Sequence, residues 1–374
     1  MVLLIGNYPL DRQQSMQRFA TMMLHGLTDA GIDADLIAPR PVLGKFRAAG
    51  GFVAKWLGYI DKFVLFRRQL ANALCQKPSV VHICDHSNAV YRGRIDNVPV
   101  VVTCHDLLAV RGALGEETNC PATLTGKILQ RWILRGLRSA DEVVCDSLAT
   151  ETDARRLVSR GETPRIDLVH LGLNYPFRKL PEQEVSARLA RVQGFDQAVP
   201  FVIHVGSNLR RKNRDGAMRI FSSTKEKWNA RLVFVGEALT SELLSLAANL
   251  GISDRVAQVA DASDELLEAL YNRAIALLYP SRFEGFGWPV IEAQACGCPV
   301  VCGNSGPLPE AAGEAGLFHD PDDEAGFAAD LLRLRNPAER AIWSEKSLRN
   351  ARRFSTKRMV SQYIDIYHSL GARL

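Results

Sequence analysis

The chain has 374 residues, more than one hydrophobic core normally organises, so two domains are expected. Its 47% hydrophobic and 23% charged residues exclude a disordered or fibrous chain, and no apolar run reaches the roughly 18–20 residues of a membrane span. The formal net charge of +5 arises in the first half, where residues 1–180 hold 23 Lys+Arg against 17 Asp+Glu, and no nucleic-acid motif accompanies it.

The opening MVLLIGNY (1–8) is too short and uncharged for a secretory leader and reads as the first strand of a cytoplasmic protein. Ser15 then reads as the N-cap of a helix, MQRFATMMLHGL. A second strand covers 33–40. Its Asp33-Ala34-Asp35 superficially matches a metal-binding D-x-D, but it sits at a helix-to-strand turn and reads as structural. Residues 46–70 interleave Lys55, Lys62, Arg67 and Arg68 with Phe, Trp, Tyr and Leu. Such a basic amphipathic segment either covers a sheet with its polar side in water or lies on an anionic membrane surface.

Further runs rich in Val, Ile and Leu follow at 79–85, 99–106, 141–147 and 165–172, separated by helical stretches. That alternation is the βαβ pattern, and the near-continuous hydrophobicity of the runs predicts a parallel sheet buried on both faces. Between 174 and 200 the pattern breaks into a polar segment that reads as a linker. A second series begins with FVIHVGS (201–207) and continues at 230–237, 255–261, 274–281, 299–304 and 315–320. The closing segment 354–370 has apolar residues at helical spacing. The predicted architecture is α/β, with two doubly wound Rossmann-like domains over 1–180 and 196–356 facing a central cleft. A final helix over about 357–374 packs back on the first domain. Eight scattered cysteines, several in apolar strand-like runs, read as reduced thiols; Cys296, Cys298 and Cys302 lack the histidines and spacing of a metal site and read as small core residues.

In open α/β sheets, ligands bind beyond the carboxyl ends of the strands. Two such ends stand out. The first is VGSNLRRKN, where Gly206 is followed by Arg210, Arg211 and Lys212 before a helix, a plausible diphosphate clamp or an exposed basic loop. The second is SRFEGFGWPVIEAQACG, where Glu284 and Glu292 flank Gly285-Phe286-Gly287 and Pro289 opens a helix that Gly297 closes. The glycines allow close backbone approach, and the helix start offers N–H groups suited to phosphate and sugar hydroxyls.

Taken with ACGCPVV, PLPEAAG, VTCHDL and ADEVVCDSLATETD, these segments resemble the retaining glycosyltransferases of family four, which have the GT-B fold. The resemblance covers most of the chain and is strongest over 201–322. It implies that Glu292 accepts hydrogen bonds from the ribose of a nucleoside diphosphate sugar. It implies that Glu284 holds donor-sugar hydroxyls, with Phe286 and Gly287 supplying backbone N–H groups, and that Lys212 binds phosphate. Many members carry an arginine directly after the glycine where this chain has Ser207, so Arg211 or Arg210 is the expected substitute. His105 matches a strand-end histidine near the reacting carbon, though His-Asp after a strand is also ordinary turn material. Gly6, Asn7 and Gln14 fall on the acceptor side. No obligatory metal or cofactor is implied; cations and helix N-termini neutralise the leaving diphosphate. The expected function is transfer of a sugar to a carbohydrate or lipid-linked hydroxyl in bacterial polysaccharide or glycolipid assembly, at or near the inner face of the membrane. The alternatives are a sugar-nucleotide epimerase of similar architecture, a nucleotide-binding non-transferase and a nicotinamide dehydrogenase. The last lacks a G-x-G-x-x-G after any strand.

Overall fold

The structure is a computed structural model that describes all residues except 12, 46–51, 160, 162 and 193–195, together with the side chains of 52–55. Arg12, the start of the basic segment from Phe46 to Gly51 and the Lys55 side chain therefore lie outside the described residues. The chain forms two compact units, Met1–Asn174 with Ser355–Leu374, and Tyr175–Phe354.

All twelve runs identified above are strands. Unit 1 holds β1 (Val2–Ile5), β2 (Ala34–Ile37), β3 (Val80–Ile83), β4 (Val100–Cys104), β5 (Glu142–Cys145) and β6 (Arg165–Leu168) in the order β2-β1-β3-β4-β5-β6. Every pairing is parallel. β1, β3, β4 and β5 are buried along their whole length, as parallel strands covered on both faces are. Asp35 pairs with Leu3 inside β2, which makes the D-x-D part of a strand.

Unit 2 holds β7 (Phe201–Gly206), β8 (Arg231–Gly236), β9 (Val256–Ala260), β10 (Ala276–Tyr279), β11 (Val300–Gly303) and β12 (Gly316–His319) in the order β12-β11-β10-β7-β8-β9. The strand order reverses between β7 and β10. That is the topological switch point at which doubly wound sheets open a crevice for ligands.

Two local expectations change, and a third gains detail. The first helix is Gln14–Asp29, with Gln13 at its cap and no side-chain capping bond, so Ser15 lies inside the first turn instead of capping it. Within the polar 174–200 segment a helix, Glu182–Leu189, buries Val185 and Leu189 and places Arg188 2.7 Å from Glu268. The basic segment forms helix Phe52–Ile60, a π-turn over Asp61–Leu65 and helix Phe66–Leu74. No two of the eight cysteines form a disulfide; six are buried, Cys120 is half-buried and Cys75 is exposed, and burial pushes the Cys298 thiol up to about 12.

The closing helix, Thr356–Ser369, belongs to unit 1 and is fastened there by buried hydroxyls. His82 on β3 lies 2.7 Å from the Tyr367 hydroxyl and 2.7 Å from Thr103 Oγ1, and Thr103 lies 2.7 Å from the Tyr363 hydroxyl. Burial holds His82 far below its ordinary pKa, to about 3, so this network stays uncharged.

Candidate functional site

The two loops that open the switch point of unit 2 follow β7 and β10. After β7 the chain makes a short 3-10 turn, Arg210–Lys212, and enters helix Arg214–Ser222 through Asn213 at φ 53°. Asparagine tolerates this left-handed backbone, and its side chain ties the turn to the other loop by donating to Pro280 O at 2.9 Å. After β10 the chain runs through 281–287 into helix Trp288–Ala295. Gly287 caps that helix at φ 105°, where a Cβ would also meet Leu308 at 2.9 Å, so glycine is required twice over. Pro289 is the second helical residue, and Gly297 follows the helix at φ 73°.

These loops bring Glu284, Lys212 and Arg211 together. Lys212 Nζ donates to both carboxylate oxygens of Glu284, at 2.8 and 2.9 Å, and to the Tyr279 hydroxyl at 2.6 Å. Arg211 Nη1 donates to the same carboxylate at 2.8 Å and to Phe283 O at 3.0 Å. Tyr279 donates to Glu284 at 2.8 Å, and Ser281 Oγ lies 2.5 Å from it. Burial works against the Glu284 anion, but the two cations and the hydroxyls outweigh it and hold the carboxyl down at about 2. Burial lowers Lys212 from the usual lysine range despite Glu284. The cluster thus sets two cations against one buried carboxylate at the switch point of the sheet.

Glu292 is buried one turn into helix Trp288–Ala295, and Tyr271 donates to it at 3.1 Å. Arg210 is exposed, whereas Arg211 turns inward. Phe286 packs its ring against Phe354, 5.7 Å away and nearly perpendicular, which fixes the Gly285-Phe286-Gly287 turn.

Sequence reasoning missed Arg214. Its guanidinium is buried and donates to Asn208 Oδ1 at 2.6 Å, to Glu237 O at 2.8 Å and to the carbonyl of Gly206. It straps the ends of β7 and β8, which approach so closely that a Cβ on Gly236 would lie 2.5 Å from Gly206 O. An arginine in the first turn of a helix opposes the dipole, and that mismatch was the available signal.

In unit 1 the strand ends collect a second polar cluster. His105 Nδ1 lies 3.0 Å from Asp146 Oδ2 and Nε2 lies 3.0 Å from Cys84 O, so both ring nitrogens are engaged within the unit. Burial opposes the imidazolium, but Asp146 and Asp85 raise its pKa above the ordinary histidine value. Burial also lifts Asp146 to about 6, against the pull of His105. Asn7 donates to Gln13 Oε1 at 2.6 Å and to Asp85, and it accepts from Asn88, which also reaches the carbonyl of Gly6. Gly6 and Asn7 are buried at the end of β1, and Gln14 is exposed at the start of the first helix. Among the described residues no group of three or more His, Cys, Asp or Glu is arranged to hold a metal ion.

Two parallel doubly wound sheets of six strands define the GT-B glycosyltransferases. Sucrose-phosphate synthase from Thermosynechococcus elongatus matches 99% of this chain over 99% of its own, with a TM-score of 0.78 at 20% identity. Anabaena Alr3699/HepE, solved in complex with UDP-glucose, matches 98% of this chain over 99% of its own, with a TM-score of 0.70 at 16% identity. Residues 16–177 match glycosyltransferase family 4 and residues 186–349 match glycosyl transferases group 1, and the chain belongs to this family. It is 31% identical over 289 residues to the D-inositol 3-phosphate glycosyltransferase of Mycolicibacterium vanbaalenii, covering 72% of this chain and 61% of that protein. It is 43% identical over 108 residues to O-antigen chain mannosyltransferase B of Escherichia coli, covering 29% of this chain and 28% of that protein.

Proposed function

We propose that the protein moves a hexosyl group from a nucleoside diphosphate sugar to a hydroxyl of a carbohydrate or lipid-linked acceptor, with retention of anomeric configuration. The observation that carries the reading is the Glu284–Lys212–Arg211 cluster at the switch point of unit 2, with Glu292 buried in the helix that follows. A diphosphate entering there meets two cations that both pair with Glu284. A sugar entering there meets that carboxylate.

In this reading Glu292 receives the ribose hydroxyls and Glu284 the donor-sugar hydroxyls. Lys212 and Arg211 turn from Glu284 towards the diphosphate, with Gly206 allowing its approach, while Gly285, Phe286 and Gly287 shape the sugar pocket. Arg210, being exposed, takes at most an outer position. The bond from the anomeric carbon to the phosphate oxygen breaks as the acceptor oxygen bonds to the same face, and the acceptor proton passes to the leaving phosphate. Negative charge grows on the diphosphate in that step, so cations fixed in a water-poor site stabilise the transition state more than the ground state.

Unit 1 is assigned the acceptor, through Gly6, Asn7 and Gln14. His105 is assigned an electrostatic role, because both of its ring nitrogens are engaged and its charge is what it has to offer. The name of the O-antigen mannosyltransferase relative favours a bacterial polysaccharide acceptor, the D-inositol 3-phosphate glycosyltransferase name favours a small phosphorylated one, and a nucleotide-sugar donor fits a cytoplasmic reaction. No helix among the described residues is long and apolar enough to cross a membrane.

A thermal-shift panel of UDP-, GDP- and ADP-linked sugars tests the donor class, since binding to the native state raises the melting temperature by mass action. One base should stabilise the protein, and NMR of the product formed from that donor should show the donor's anomeric configuration. Inversion, or conversion of the nucleotide sugar without any acceptor, would refute the reading.

A further inference from the structure

The charged segment 46–70 is only part of a larger surface on unit 1. Helix Leu124–Arg138 carries Leu124, Ile128 and Trp132 at four-residue spacing, and they are 81%, 66% and 39% exposed. Lys127, Arg131 and Arg135, at the same spacing one step back, are exposed beside them, and the helix contains no acidic residue. Spacing of three or four residues places both rows on the outward side of the helix, opposite buried Ile133 and Leu137.

This helix joins the basic segment through aromatic contacts. Trp132 lies 5.3 Å from Phe63, Phe63 lies 5.6 Å from Tyr59, and Tyr59 lies 5.7 Å from Trp56. Trp56 is 48% and Val64 54% exposed, and Ile60 and Leu65 stand out beside them. Arg67 and Arg68 are exposed at the far end. The single acid between 56 and 74, Asp61, is buried and consumed by the Tyr8 hydroxyl and the backbone N–H groups of Val42, Leu43 and Gly44. Among the described residues, seven exposed large hydrophobics and five exposed cations therefore lie on these two connected segments, and neither helix Leu124–Arg138 nor 56–74 holds an exposed acid. Scattered exposed apolar residues need no explanation, but a contiguous set does.

We infer that this face, built from helix Leu124–Arg138 and the 56–68 segment, docks unit 1 on an anionic lipid bilayer. Aromatic and aliphatic side chains enter the interfacial layer, and the flanking lysine and arginine side chains meet the phosphate headgroups. A second copy of the chain is the poorer occupant, because a two-fold contact would set the same cations against one another.

The test is flotation of the purified full chain, without substrates, on phosphatidylglycerol–phosphatidylcholine vesicles and on pure phosphatidylcholine vesicles. The wild type should float with the anionic vesicles and not with the neutral ones. Both L124S/I128S/W132S and K127E/R131E/R135E should lose roughly tenfold or more in partitioning. The substituted side chains are exposed, so circular dichroism and melting temperature should be unchanged, and the tryptophan emission of the wild type should shift to the blue on binding. Failure of the wild type to float, equal flotation of both variants, or a dimer in light scattering that L124S/I128S/W132S dissociates would each overturn the inference.

Discussion

Glu284 accepts from two cations and two hydroxyls, so a diphosphate bound as proposed would compete with it for Lys212 and Arg211. Glu284→Gln keeps the shape and removes that competition. It should tighten binding of the free nucleoside diphosphate by about tenfold, near 1.4 kcal/mol, while transfer falls on the order of a hundredfold. Calorimetry and initial rates check the two halves separately, and weaker nucleotide binding would contradict the competition. Glu292→Ala removes the acceptor of the Tyr271 hydroxyl, which should cost about 1–3 kcal/mol of stability as well as nucleotide affinity. The glutamate pair and Lys212 were legible from the glycines and cations around them. Tyr279 and Arg214 were not, because a tyrosine closing a buried strand and an arginine opening a helix acquire their partners only when β7, β8 and β10 come together.

At the scale of elements, the central strands were legible because parallel strands covered on both faces are hydrophobic throughout, whereas the partly exposed edge strands β2, β6 and β9 showed only as short apolar runs between helical stretches. The helix Glu182–Leu189 escaped because its two buried residues, Val185 and Leu189, are too few to show a period within a polar stretch. Ser15 misled as a cap because its side-chain chemistry was right and its position two residues too far in. The closing helix depends on hydroxyls that hydrophobic spacing could not reveal. Tyr367→Phe leaves one ring nitrogen of buried His82 without its partner and should lower stability by about 1 kcal/mol, measured by denaturant unfolding. On β5, burial and the neighbouring Asp167 push Glu142 up to about 8 although Arg165 pulls it down. A carboxyl raised in the folded state contributes stability below its unfolded pKa, and that contribution is lost as pH rises through the folded value. Stability should therefore decline between about pH 5 and pH 9, and Glu142→Gln should flatten the decline.

At the scale of the molecule, each unit is a complete doubly wound sheet with its own polar cluster at the strand ends, and the chain returns to unit 1 only for its last helix. Arginine and lysine stand where the leaving diphosphate would be neutralised, so transfer should persist in a chelator; loss that Mg²⁺ restores would contradict that assignment. The central claim is that unit 2 grips a nucleoside diphosphate sugar through Glu292 and the Lys212–Arg211 pair. Its most direct test is titration calorimetry of the wild type, Glu292→Ala and Lys212→Ala with UDP, GDP and ADP. One nucleotide should bind the wild type, and either substitution should weaken it by roughly tenfold or more with the fold intact. Binding of none of the three to the wild type, or equal affinity in both variants, would contradict the account.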